Sequence, residues 1–188
     1  SGVFIGTSYI PLPPWAALFA FVPLWLFLNN ETSPKRAAIG GFLTSFTLTL
    51  IGFYWVAYVS REHGNIPWPL AILVMLFFCC VATNYVPICS WIWTRWLKGK
   101  ALSSGWQWVG IATIFAIGEK AYLTLFPWNL GYVWAWVDFP MVQTAEWWGI
   151  DGLSTITIYF SALFGYAWEA RIRNKNLWKR IVFGGISI

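Results

Sequence analysis

One short run near the middle of the chain holds most of the side chains that could bind a polar ligand. Glu119 and Lys120 stand side by side at the end of an apolar run. A carboxylate next to an ammonium could bind a polar headgroup or an amine. Lys120 is the nearest candidate to pair with Glu119, although adjacent residues on a helix point in different directions. Glu119 and Lys120 are therefore the first candidates for a binding site.

The same run continues with rings, prolines and glycines. Asp138 precedes Phe139-Pro140 and could cap a turn, and Asp151 could cap a helix that begins after Gly149. Aromatic rings beside these polar groups could hold acyl chains while the charges handle a headgroup or an amine. The further candidates for lipid contact are Phe126, Pro127, Trp128, Tyr132 and Asp138.

No familiar catalytic or metal-binding pattern accompanies these residues. The chain has no G-x-S-x-G turn, H-E-x-x-H helix, C-x-x-C pair or phosphate-binding glycine loop. The three cysteines, Cys79, Cys80 and Cys89, lie in an apolar run without a base and are interpreted as packing residues. The single histidine, His63, follows two charges in a polar turn and is interpreted as solvated. No catalytic residue, metal or cofactor is predicted in this chain.

The composition is that of an integral membrane protein. Hydrophobic residues make up 59% and charged residues 10% of the 188 positions, and the mean hydropathy is +0.60. So little polar surface could not cover a soluble core of this size. The 16 Trp, 8 Tyr and 15 Phe residues favour the level of the lipid headgroups.

The basic residues are sorted by connecting loop. Ten of the twelve lie in three alternate loops, at Lys35, Arg36, Arg95, Lys98, Lys100, Arg171, Arg173, Lys175, Lys179 and Arg180. Cytoplasmic loops of membrane proteins carry such an excess. These loops are therefore predicted to be cytoplasmic, and the net charge of +5 is not interpreted as a nucleic-acid site.

The apolar runs predict an all-α polytopic membrane protein. A helical span needs about 20 apolar residues. The predicted spans are about 15–28, 37–60, 70–93, 106–118 and 149–168, with partial helices at 1–10 and 181–188. Residues 1–188 are expected to form one transmembrane helical bundle, truncated at both ends. The basic loops place the aromatic, proline-rich segment from Glu119 to Trp148 on the outer face.

Two of the spans carry further signals. Glycines and hydroxyl residues in 37–60, among them Gly41, Ser45 and Thr49, predict close helix packing. Pro87 lies inside 70–93 and predicts a kink there.

Several short patterns, in this order, resemble the membrane domain of the bacterial apolipoprotein N-acyltransferase family. The strongest is Phe126-Pro127-Trp128-Asn129-Leu130-Gly131-Tyr132, which is similar to the family's F-P-W-x-x-x-G-Y pattern but one residue shorter. Tyr122 stands where the commoner family pattern has an arginine. The other similar patterns are Pro23-Leu24, Lys35-Arg36-Ala37, Gly52-Phe53-Tyr54-Trp55-Val56, Asp138-Phe139-Pro140 and Gly149-Ile150-Asp151-Gly152-Leu153-Ser154.

The resemblance implies a multi-pass protein of the bacterial inner membrane, with the Glu119 to Trp148 segment on the periplasmic side. It implies that the whole protein moves an acyl chain from a phospholipid to the N-terminal amine of a diacylglyceryl-cysteine lipoprotein. The family's catalytic glutamate, lysine and cysteine belong to a nitrilase-like domain, and no residue here matches them. This chain is expected to anchor that domain and to admit the phospholipid and lipoprotein from the surrounding membrane lipids.

Two other classes of function remain open from the residues alone. One is a non-catalytic membrane scaffold that recruits a partner enzyme. The other is a transporter component, which should show repeats with paired broken helices and charges within its spans. Glu119 is the only candidate for such a charge near the membrane, which does not favour a transporter. The reading frame beyond Ile188 would distinguish a scaffold from an acyltransferase.

Overall fold

The computed structural model describes residues 1–8, 14–98, 103–123, 129–135 and 140–173. All regular structure in these ranges is helical, which confirms the all-α prediction. The α-helices are α1 Gly2–Gly6, α2 Val22–Asn30, α3 Pro34–Gly52, α4 Trp55–Gly64, α5 Trp68–Val81, α6 Tyr85–Ile92, α7 Ser104–Ala121 and α8 Ala145–Arg173. Short 3-10 helices cover Pro14–Phe19, Leu130–Trp134 and Pro140–Thr144, and a π-helical turn covers Trp93–Leu97.

The predicted span 37–60 is not one straight helix. Helix α3 ends at Gly52, and α4 begins at Trp55 after a turn at Phe53 and Tyr54. The two helices are bent by 56° relative to each other. Glycine is a poor helix former, which favours an end at this position. Helix α4 packs against α5, so the bend turns the chain back toward the bundle.

A second break separates α5 from α6 at residues 82–84, just before Pro87. Proline has no N–H to donate to the carbonyl four residues earlier, which here is that of Thr83. The Ser45 hydroxyl of α3 donates to this carbonyl over 2.9 Å. The hydroxyls of Thr83 and Thr49 also take part, and all three side chains are buried. We call these three residues the hydroxyl cluster.

The centre of the bundle is aromatic. Phe21, which directly precedes α2, and Trp25 of α2 stack with ring centroids 5.2 Å apart. Phe115 of α7 contacts both rings edge-on, at 5.2 Å from Phe21 and 5.4 Å from Trp25. Trp108 of the same helix lies 6.2 Å from Trp25. Edge-on and offset ring contacts are the favoured arrangements for aromatic pairs. These contacts fix α7 against α2.

Helices α7 and α8 form a neighbouring pair that carries the candidate site. The 3-10 helices Leu130–Trp134 and Pro140–Thr144 pack on α8. Helix α8 contains a kink at Gly149, whose φ of 67° and ψ of −179° are not helical. Only glycine adopts this region readily. The kink separates the first turn, with Trp148, from the long part of α8.

Membrane crossing requires long apolar helical runs. Among the described residues, the run Trp68–Leu97, which joins α5, α6 and the π-helical turn across the break at 82–84, is the one run, of 30 residues, that is long and apolar enough to cross a membrane. The bent pair α3 and α4 would be a second if both belong to one span. The core helix of a soluble protein passes the same test. The structure thus establishes the helical class, and the number of crossings stays a prediction.

Candidate functional site

The candidate site lies where the end of α7 meets α8 just after its kink. Helix α7 ends with Glu119 and Lys120, and α8 places Asp151 and Ser154 opposite them. Asp151 and Ser154 are three residues apart, so they lie on one face of α8. Glu119 is only 7% exposed, which makes it a buried carboxylate with a strong need for hydrogen-bond donors.

The polar groups around Glu119 come from a short segment and from α8. The Leu130 N–H donates to Glu119 Oε1 over 2.7 Å. The Ser154 hydroxyl lies near the same carboxylate, and its oxygen accepts the N–H of Gly131 over 2.6 Å. Two successive backbone amides are thereby satisfied by one carboxylate and one hydroxyl. Hydrogen bonds to a charged acceptor are stronger than those between neutral groups.

Two further contacts hold the same segment on α8. The Asn129 side-chain amide donates to Asp151 Oδ1 over 2.6 Å. The Trp134 indole N–H donates to the hydroxyl of the buried Thr157 over 2.8 Å. We call residues 129–134 the tethered segment. It is bound to α7 through Glu119 and to α8 through three other side chains.

Gly131 is required by how closely the tethered segment approaches α8. A β-carbon at this position would lie 2.7 Å from the Ile150 carbonyl oxygen and 2.8 Å from the Ser154 nitrogen. Both are backbone atoms, so neither could move away without shifting α8. The absence of a side chain at Gly131 therefore allows its backbone to contact Ser154.

Lys120 does not pair with Glu119, contrary to the pairing considered from the sequence. Its Nζ lies 3.6 Å from Asp151 Oδ2, and the two side chains are 74% and 45% exposed. Adjacent helix positions point in different directions, which separates Lys120 from the buried Glu119. An ion pair this exposed contributes little to stability. Lys120 remains accessible to a ligand.

A groove of about 510 Å³ opens beside these residues. Its lining combines one buried carboxylate, an exposed ion pair, a hydroxyl and apolar surface. The lining residues are Ala116, Glu119, Lys120, Trp148, Asp151, Gly152, Thr155 and Ile156. A groove with charges at one place and apolar walls elsewhere suits an amphipathic ligand.

The remaining predicted residues are only partly covered by the structure. Tyr132 lies in the tethered segment and is 38% exposed. Phe126, Pro127, Trp128 and Asp138 lie outside the described residues. No three His, Cys, Asp or Glu side chains in the described ranges come together as a metal site would require.

Sequence reasoning did not assign a partner to Asn129 or a role to Ser154. Asn129 comes directly after Phe126-Pro127-Trp128, and Ser154 ends the G-x-x-G-x-S pattern. The spacing of Asp151 and Ser154 on α8 was the signal available for their common face. Their contacts with a loop segment are long-range, and no local pattern reveals such contacts.

Comparison with known proteins gives a consistent answer. The model of the apolipoprotein N-acyltransferase N-terminal domain matches residues 1–163. An apolipoprotein N-acyltransferase of Bdellovibrio bacteriovorus is 41% identical over 170 residues, covering 89% of this chain and 31% of that protein. One of Geobacter metallireducens is 27% identical over 178 residues, covering 89% of this chain and 33% of that protein. Apolipoprotein N-acyltransferase 2 of Leptospira interrogans is 26% identical, covering 94% and 30%.

The chain spans about a third of the length of these relatives. Their shared name favours the acyltransferase interpretation over the scaffold and the transporter. The family model covers well over half of the chain, including α1 to α7 and the site residues of α8. The chain therefore belongs to the family of apolipoprotein N-acyltransferase N-terminal domains.

Proposed function

We propose that this chain is the membrane domain of an apolipoprotein N-acyltransferase. The whole protein would transfer an acyl chain from a phospholipid to the N-terminal amine of a diacylglyceryl-cysteine lipoprotein. The observation that carries the proposal is the family match over residues 1–163, together with a relative of that name at 41% identity. This chain would anchor the catalytic domain and admit the two lipid substrates, without itself supplying a catalytic residue.

The membrane location is supported by where the basic loops lie. Lys98 Nζ donates to the carbonyls of Leu28, over 2.9 Å, and Glu31, over 2.5 Å. The end of the Trp93–Leu97 turn therefore lies beside the connection into α3, whose first turn carries Lys35 and Arg36. At the start of α7, the Trp108 indole donates to Glu169 of α8 over 2.7 Å. The described basic residues at the start of α3, at Lys98 and at the end of α8 support one common end of the bundle, which we assign to the cytoplasmic side of a bacterial inner membrane.

The exposed rings fit the same assignment. Near the opposite end, Tyr54, Tyr58, Trp147 and Trp148 are between 60% and 85% exposed. Near the basic loops, Trp96 and Trp106 are 55% and 65% exposed. Rings of this kind are stable at the level of the lipid headgroups, where one side is apolar and the other wet. We therefore retain the prediction of several membrane spans in one domain of residues 1–188.

The groove between α7 and α8 is the proposed route for the lipids. It would admit an acyl chain along its apolar wall, with Lys120 and Asp151 near the headgroup. Trp148 lines the groove and is exposed, and Tyr132 is partly exposed on the tethered segment. We keep Glu119, Lys120, Phe126, Pro127, Trp128, Tyr132 and Asp138 as candidates for this lipid entrance.

Substitution of the aromatic candidates tests the proposal in the full-length protein. Trp128→Ala and Tyr132→Ala should each lower lipoprotein N-acylation roughly 2- to 10-fold, since an aromatic contact contributes about 0.5–1.5 kcal/mol. The measurement is the amount of N-acylated lipoprotein per amount of enzyme in membranes. Phe77→Ala, which removes a ring that is 70% exposed on α5, is the matched control.

Two results would contradict the proposal. If Trp128→Ala and Tyr132→Ala lower the protein level as much as they lower activity, the two rings have a packing role instead. A reading frame beyond Ile188 that encodes no nitrilase-like domain with Glu, Lys and Cys would contradict the proposed acyltransferase activity.

A further inference from the structure

Glu119 is a buried acid at the end of an apolar helix, and its role is not evident from its type alone. Glu119 is 7% exposed, while the side chains of Lys120 and Asp151 next to it are 74% and 45% exposed. A group so placed could contact a ligand only through the edge that lines the groove. Its described hydrogen bond is the one from the Leu130 N–H.

Glu119 and Ser154 accept two successive backbone amides of the tethered segment. The Leu130 N–H donates to Glu119, and the Gly131 N–H donates to Ser154. Both acceptors are buried, and each satisfies one buried donor. Removal of either acceptor leaves a buried donor without its partner, which is costly.

The tethered segment is held by apolar burial together with these polar contacts. Leu130, Gly131, Val133 and Trp134 are buried against the bundle, whereas Tyr132 projects and is 38% exposed. The segment is a short 3-10 helix, which has poor hydrogen-bond geometry of its own. Its position relative to α7 and α8 therefore depends on side chains outside it.

We propose that Glu119 and Ser154 are positioning residues that fix the tethered segment, and with it Tyr132, at the lipid entrance. Glu119 acts through the backbone of Leu130 and does not touch the reacting atoms. This inference rests on the proposed function for the identity of the substrate. The local positioning is measurable independently of any acylation.

Hydrogen exchange of the full-length enzyme tests the positioning. Glu119→Ala should speed exchange of the amides in 129–134 by roughly 10- to 100-fold, as expected for losing a buried hydrogen bond to a charged acceptor. Ser154→Ala should act in the same place. Glu119→Gln keeps one carbonyl oxygen that can accept the Leu130 N–H, so it should restore part of the protection.

Thr113→Val is the matched control. Thr113 shares a hydrogen bond of 2.7 Å with Tyr159 and thus also joins α7 to α8, but it lies away from the tethered segment. This variant should leave exchange in 129–134 unchanged.

Kinetics with a phospholipid donor provide the second measurement. Glu119→Ala and Ser154→Ala should raise KM for the phospholipid more than they lower kcat, because the reacting atoms are untouched. Unchanged exchange in 129–134, or an equal rise in all helices, would overturn the positioning role. A normal KM with a lower kcat would also overturn it. If the wild-type full-length enzyme does not acylate lipoproteins, the proposed function is refuted. The exchange pattern would still test the positioning role of Glu119.

Discussion

The burial of Glu119 limits what its carboxylate can do. From the sequence, Glu119 and Lys120 together were the first candidates for a polar headgroup. The structure separates them, because Lys120 turns to Asp151 while Glu119 accepts a backbone amide. Sequence alone could locate this pair at the end of α7. It could not separate their roles, since these depend on contacts with residues 130, 151 and 154.

Gly131 gives the clearest single-residue prediction. Gly131→Ala should lower the free energy of unfolding by about 1–3 kcal/mol, because the new β-carbon would overlap backbone atoms of α8. The measurement is the thermal unfolding midpoint in detergent. Gly64→Ala is the control, since its β-carbon would meet only Ile66 at 3.9 Å. If the two alanine variants unfold at the same temperature, the close approach of the tethered segment to α8 is wrong.

The packing of α3 on α6 shows how far sequence patterns predict helix contacts. The small and hydroxyl residues of 37–60 predicted close packing, and a β-carbon on Gly41 would lie 2.7 Å from Pro87 Cα. The predicted kink near Pro87 corresponds to the break at 82–84. The donation from Ser45 to the carbonyl of Thr83 was not predicted, because the partners are 38 residues apart.

Loss of the Ser45 hydroxyl should destabilise this packing. Ser45→Ala should cost about 0.5–1.5 kcal/mol, because the Thr83 carbonyl at the helix break loses one of its donors and keeps the Val86 N–H at 3.2 Å. Chemical or thermal unfolding in detergent measures the change. Thr7→Ala serves for comparison, as its hydroxyl bonds a carbonyl of its own short helix at an exposed position. A Ser45→Ala protein as stable as Thr7→Ala would show that the hydroxyl cluster does not secure the break.

In the proposed topology the bundle has one basic end and one aromatic, proline-rich end. The sequence predicts this polarity from alternate loops, and the contact of Lys98 with Leu28 brings the end of the Trp93–Leu97 turn close to the end of α2. Patterns predicted where helices occur because apolar runs are local. They did not predict the bend between α3 and α4, which depends on packing against α5.

Thiol labelling tests the orientation of the bundle. In whole cells with a permeabilised outer membrane, a cysteine at Gly64 should react with an impermeant thiol reagent, and one at Lys35 should not. Both positions are exposed, and the proposed topology puts them at opposite ends of the bundle. The unsubstituted protein gives the baseline for Cys79, Cys80 and Cys89. Labelling at Lys35 without labelling at Gly64 would reverse the proposed orientation.

The backbone conformation at Gly149 determines which chirality of amino acid can occupy this position. A β-carbon at this position would meet no atom within 4 Å, so space does not restrict it. Its φ of 67° and ψ of −179° are close to the mirror image of extended backbone. An L-alanine would be strained by these angles, whereas the same angles are favourable for a D-residue. Position 149 therefore selects for chirality rather than for size.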